Sequence, residues 1–152
     1  MSNGAFVRTA SAFRDFVSSE PGSKYPAEAG RYHLYVANAC PWAHRTLMVR
    51  ALKGLEDVIG VSIVHPTFQP TRPGDASDDH CGWVFRDPLD DPVANVRGFG
   101  TVSCDDCIPD TVNGAKTVRE LCAFGNLCAL YEALFFISQY RFLFFLPLTT
   151  RE

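Results

Sequence analysis

The strongest constraint on the fold of this chain is a change of hydrophobic period at Cys40-Pro41. Before it, "RYHLYVA" (Arg31–Ala37) alternates, with Tyr32, Leu34 and Val36 on one face and His33 and Tyr35 on the other. That is the period of a strand. After it, Ala43, Leu47, Met48, Ala51, Leu52 and Leu55 recur at three-to-four spacing, with Arg45, Arg50 and Lys53 opposite. This spacing predicts an amphipathic helix. Pro41 suits its first turn, where a missing N–H costs nothing, and Gly54 suits its C-terminal stop. Next, "DVIGVSIVHP" is a nearly continuous β-branched run, the pattern of a buried strand in a parallel sheet. Arg31–Val64 is therefore expected to be a β-α-β unit with a right-handed crossover.

The remainder is less regular. Residues 1–30 read as a lead-in, with a possible short helix over Ala5–Val17 and turn chemistry in "SSEPGSKYPAEAG". Residues 66–110 are rich in Pro, Gly and Asp and form a long insert. A second helix is expected at Thr111–Leu121. Residues 122–152 form a tail crowded with Phe and Leu and lacking a clear period. The tail nearly reaches the length of a membrane span, but Glu132, Gln139 and Arg141 interrupt it. Such charges disfavour insertion, so the tail is expected to pack on the sheet or lie exposed. With 152 residues, one domain is expected. A net charge of −3 without a basic stripe argues against a nucleic-acid partner. The first sixteen residues lack the apolar core of a secretory signal, and a cytoplasmic location is expected. No phosphate loop, G-x-S-x-G or Rossmann glycine pattern occurs.

Six cysteines without such a signal do not make a secreted disulfide framework. Each is a small apolar residue, a metal ligand or a reactive thiol. Cys40 stands at or next to the start of the predicted helix, in "NACPWAHR". Unpaired N–H groups and the helix dipole favour negative charge there, and thiols so placed ionise more readily. An inert junction cysteine is the alternative, and the junction with its following proline favours the reactive one. Ala43 occupies the place where a second cysteine would complete a C-x-x-C pair. A lone thiolate cannot close an internal disulfide. It must form a mixed disulfide with an outside thiol, and a second outside thiol must release it. Glutathione is the abundant cytosolic candidate.

"CDDC" (Cys104, Cys107), with His80 and Cys81 upstream, supplies four soft ligands that could form a tetrahedral zinc site. One C-x-x-C beside a His-Cys pair is a weaker signal than two spaced pairs. Exposed thiols or an incidental disulfide are the preferred reading, and no metal is assigned. Cys122 and Cys128 read as apolar filler, and His33 as a satisfied structural residue.

The string "RYHLYVANACPWAHRTLMVRALKGLEDVIGVSIVHP", followed later by "GWVF", resembles the glutathionyl-hydroquinone reductases. These are the Xi class of glutathione transferases, distant relatives of the omega class. The match runs from Phe13 to Pro66 and resumes at Gly82–Phe85 and Val112–Leu121. The resemblance implies an α/β fold: a thioredoxin-like N-terminal domain joined, in the family, to an all-helical C-terminal domain. It implies Cys40 as nucleophile, Trp83 and Pro41 in contact with glutathione, and glutathione as co-substrate. The implied partners are glutathionylated quinone-type molecules, and family members dimerise. Beyond Leu121 the family's next strand, its cis-proline, its Glu-Ser turn and its helical domain find no counterpart in the sequence. An incomplete thioredoxin-like domain over 31–121, with a divergent tail at 122–152, is therefore expected. An open sheet edge and weak glutathione binding are expected with it. The alternatives are a non-catalytic remnant of the family that associates through its apolar tail and, less favoured, a tail-anchored membrane protein.

Overall fold

The computed structural model describes residues 16–95, 98–124 and 146–147. The strand β1 (Tyr32–Ala37), the helix α1 (Pro41–Leu52) and the strand β2 (Ile59–Val64) form the predicted unit. β1 and β2 pair in parallel without a bulge, from Tyr32 opposite Ile59 to Ala37 opposite Val64. Strand alternation then sends side chains to two faces. Leu34, Val36 and Ile59 pack with Ala43 of α1, and Leu47 and Leu55 lean on them. On the opposite face Ala37 and Val64 pack with Phe85, Ala115 and Leu121, supported by Tyr35, Trp83 and Val118. A sheet covered on both faces explains the unbroken apolar run of β2.

α1 differs from its predicted amphipathic face. Ala43 is its one buried residue, while Met48 and Leu52 are exposed. The helix lies over only two paired long strands, so the row through Ala43 and Leu47 reaches apolar partners and the next row does not. Its C-terminal end is fixed by Gly54 in the left-handed region, at φ 61°. Arg50 adds to this, donating from Nε to the Ile59 carbonyl at 2.7 Å.

The insert carries two small antiparallel ladders: β3 (Gln69–Pro70) with β4 (Cys81–Gly82), and β5 (Val93–Ala94) with β6 (Thr101–Val102). Ile108 then bridges to Ile63, with N–H···O bonds of 2.9 Å in both directions. α2 occupies Val118–Phe124, later than the predicted Thr111–Leu121. The reason is Asp110. Its carboxylate accepts the N–H groups of Val112, Asn113 and Ala115 at 3.0 to 3.1 Å, which holds this stretch in turns. The helix starts only at Thr117, whose hydroxyl accepts the Glu120 N–H at 3.1 Å. Glu120 reaches back to the Lys116 N–H at 2.6 Å. "TVRE" has the capping-box spacing, with the return bond from Glu120 falling on the residue before the capping Thr117.

β7 (Leu146–Pro147) pairs antiparallel with Tyr32 and His33, giving the order β2-β1-β7. The expected open edge of β1 is therefore partly occupied, over two residues. The expected helix at Ala5–Val17 lies largely outside the described residues, and Phe16 and Val17 are not helical. Most of the tail, with Cys128, also lies outside them. Among the described residues no helix is long and apolar enough to cross a membrane.

His33 is buried, its Nε2 lying 2.9 Å from the Ser62 hydroxyl. That hydroxyl in turn donates to the Pro109 carbonyl at 2.9 Å. Gly60 stands opposite His33 in the register, and a Cβ there would come within 2.5 Å of the ring. Burial pushes the imidazole below its ordinary range, against the opposing pull of Asp110. Because the folded value is the lower one, the unfolded chain binds more protons below about pH 6.5. Stability is then complete above that pH and is lost as pH falls toward the folded value. Urea unfolding at pH 7.5 and 5.5 checks this. His33→Gln is expected to lessen the difference between the two midpoints, and an unchanged difference would reject the assignment.

Candidate functional site

Cys40 is the N-cap residue of α1, with extended backbone at φ −102° and ψ 114°. Its N–H donates to the Ala37 carbonyl at 2.9 Å, turning the chain out of β1. Its carbonyl accepts the His44 N–H at 3.3 Å, the first bond of the helix. The side chain makes no capping bond. Pro41 has no N–H, and the N–H groups of Trp42 and Ala43 have no acceptor within the helix. No acidic residue stands in the first turn. The thiol is partly exposed and packs at the rim of both apolar clusters.

The neighbouring basic side chains are both engaged. Arg45 stacks over the Trp42 ring at 4.3 Å. His44 Nε2 lies 2.7 Å from the Asn38 carbonyl, tying the first turn of α1 to the loop that carries Cys40. Pro41 is exposed beside them.

Trp83 is half-buried and packs against the cluster that Cys40 also borders. Its segment is held from two sides. The His65 N–H donates to the Val84 carbonyl, and the Phe85 N–H to the Lys116 carbonyl, each at 2.9 Å. The Trp83 carbonyl accepts the Val118 N–H at 3.0 Å. The indole meets Phe68 edge-to-face at 4.4 Å between centroids, a favoured aromatic arrangement. Phe68 is partly exposed and was not among the residues selected from sequence. Its signal was a large aromatic side chain inside a Pro- and Thr-rich loop.

The four soft ligands of the insert separate. Cys104 and Cys107 come together and are both buried, which corrects the expectation of exposed thiols. Cys40, Cys81, Cys104 and Cys107 are in no disulfide. His80 Nδ1 is 2.9 Å from the Thr71 hydroxyl, and Cys81 lies beside the Asp79 carbonyl at 3.8 Å. Among the described residues no group of three or more His, Cys, Asp or Glu side chains is placed to hold a metal. Cys122 is buried, as expected of apolar filler.

No protein-family model matches the chain. It is 39% identical over 120 residues to the glutathionyl-hydroquinone reductase PcpF of Sphingobium chlorophenolicum, covering 79% of this chain and 29% of that protein. It is 59% identical over 85 residues to glutathione S-transferase omega-like 2 of Saccharomyces cerevisiae, covering 56% of this chain and 20% of that protein. Among solved structures, the Xi glutathione transferase ECM4 from Saccharomyces cerevisiae in complex with glutathione superposes with a TM-score of 0.55. The two are 35% identical, over 78% of this chain and 35% of that one. The β-α-β unit is thus thioredoxin-like, as expected. The chain spans less than a third of the length of the two curated relatives.

Proposed function

We propose that this chain, a partial-length relative of the glutathionyl-hydroquinone reductases and Xi-class glutathione transferases, carries the thiol centre of a glutathione-dependent exchange reaction on glutathionylated hydroquinones. Cys40 is the nucleophile, and Trp83 with Pro41 borders the glutathione. The observation that carries this reading is the placement of Cys40 itself. It is a partly exposed N-cap cysteine with no capping bond, no acidic neighbour in the first helical turn and Ala43 three residues on.

The chemistry follows from that arrangement. The Cys40 thiolate attacks the glutathione sulfur of a glutathionyl-hydroquinone. The new S–S bond forms as the aryl C–S bond breaks. The electron pair stays on the ring carbon, which takes a proton, and free hydroquinone leaves. Glutathione thiolate then attacks the mixed disulfide, releasing glutathione disulfide and restoring Cys40. One glutathione is consumed per turnover, and no internal thiol competes as resolver at position 43. Cys40 stands beside the Trp42 and Ala43 N–H groups, which have no acceptor within the helix.

The test is to mix the protein with a glutathionyl-hydroquinone and follow hydroquinone release. Omitting free glutathione should trap one glutathione on Cys40, detectable by mass spectrometry. Release without any adduct on Cys40 would reject the mechanism. Trp83→Ala is expected to weaken glutathione binding by about tenfold, the size of a lost aromatic contact of roughly 1.4 kcal/mol. Calorimetric titration of both proteins checks it, and equal affinities would remove Trp83 from the site.

A further inference from the structure

We propose that Cys104 and Cys107 form a second redox centre, a two-thiol pair that glutathione disulfide converts to an intramolecular disulfide. This is the chemistry that Ala43 denies to Cys40. It rests on the geometry of the insert and does not require the reaction proposed for Cys40.

The backbone sets the distance. The Cys107 N–H donates to the Cys104 carbonyl at 2.8 Å, so Cys104-Asp105-Asp106-Cys107 is a hydrogen-bonded turn. Such a turn holds its first and last Cα atoms within about 7 Å, the upper edge of the span a disulfide bridges. Both side chains turn into the protein from the two ends of that turn, away from the exposed Asp105 and Asp106. The Cys104 thiol in turn donates to the Asp91 carbonyl at 3.5 Å. Both residues are buried, with 1% and 2% of their surface exposed. Burial and the neighbouring Cys104 push the Cys107 thiol up to about 11, so that side chain rests as the protonated thiol.

The turn is also anchored at both ends. β6 precedes it, and Ile108, bonded in both directions to Ile63 of β2, follows it. Closing so short a loop removes little chain entropy. The crosslink therefore adds little as a structural staple and remains reducible.

The reaction balances without a further reagent. One thiolate attacks glutathione disulfide, forming a mixed disulfide and releasing glutathione. The second thiolate displaces the other glutathione and closes the Cys104–Cys107 bond. Two thiols are oxidised, one glutathione disulfide is reduced to two glutathiones, and two protons pass to the leaving thiolates.

The test equilibrates the whole chain at pH 8 in glutathione buffers of varied ratio. It then alkylates free thiols and maps the peptides by mass spectrometry. The expected product is a Cys104–Cys107 crosslink lacking two hydrogens, with a ratio of crosslinked to reduced form that varies as the inverse square of glutathione concentration. That second-order dependence marks an internal disulfide. Cys40→Ser should give the same crosslink and the same dependence, which separates this pair from the reading of Cys40. Cys104→Ser should lose the second-order dependence. Glutathione adducts retained separately on the two cysteines would overturn the proposal, as would thiols fully alkylated at every ratio. The measurement on the unmodified chain decides the matter even if a variant fails to fold.

Discussion

Cys40→Ser is expected to reduce hydroquinone release to the uncatalysed background. The argument separates chemistry from folding. Serine is among the preferred N-cap residues, and its hydroxyl accepts from the N–H two or three positions on. The cysteine makes no capping bond. The substitution therefore leaves α1 intact, and stability is expected to hold or rise by about 0.5–1 kcal/mol. An alkoxide is not available at neutral pH, and oxygen forms no disulfide with glutathione. Neither half of the exchange survives. Two measurements decide it together: the rate of hydroquinone release, and the urea midpoint of the variant. A variant that folds as well as the parent yet still releases hydroquinone at the parent's rate would sink the assignment of Cys40. A variant that loses both activity and fold would mean that Cys40 also holds the strand-helix junction together.

The parts of this fold legible in the sequence are those set by local period. The alternation of Tyr32 to Val36, the spacing after Pro41 and the β-branched run of β2 each depend on neighbours within a few residues. They located β1, α1, β2 and the cysteine between them. What escaped was set by contacts distant in the chain. Asp110 delays α2 because its carboxylate collects three N–H groups of the following turns and the hydroxyl of Tyr35, a residue 75 positions earlier. The hydrophobic spacing of Ala115, Val118 and Leu121 carried no sign of that. The Thr117 and Glu120 spacing in "TVRE" is the local sign of the later start. Cys104 and Cys107 were expected as solvent-exposed thiols or an incidental disulfide. Asp105 and Asp106 instead occupy the exposed corner of a turn whose two ends point inward. Trp83 and Cys40 border one cluster only because Phe85 and Val64 carry their segments to it.

Asp110→Asn is expected to cost about 2–4 kcal/mol of folding stability, the largest loss predicted for a single polar substitution in this chain. One carboxylate oxygen accepts from the Tyr35 hydroxyl at 2.9 Å and from the N–H groups of Val112 and Asn113. The other accepts from the Ala115 N–H at 3.0 Å. Asparagine can replace only one of these oxygens, and its amide would point a donor at another donor. Asn113 Nδ2 also donates to the Tyr35 hydroxyl, so the network joins β1 to the turn before α2. Burial opposes ionisation of Asp110. The N–H groups of Asn113 and Ala115, the Tyr35 hydroxyl and the Val112 N–H outweigh it and hold the carboxyl below the usual range. A depressed folded value means that the stabilisation is complete above about pH 4 and is lost as pH falls from there through the folded value. Burial and the bond to Asp110 push the Tyr35 phenol up, so it stays a donor through neutral pH. Tyr35→Phe removes one of the four bonds to Asp110 together with the Asn113 bond to the hydroxyl, and is expected to cost about 1–2 kcal/mol. Urea unfolding at pH 7 and pH 3 tests the set. The gap between parent and Asp110→Asn should be widest at pH 7 and smaller at pH 3, where the carboxyl of the unfolded chain takes up a proton. A gap that stays constant with pH would show that shape, and not charge, is what Asp110 contributes.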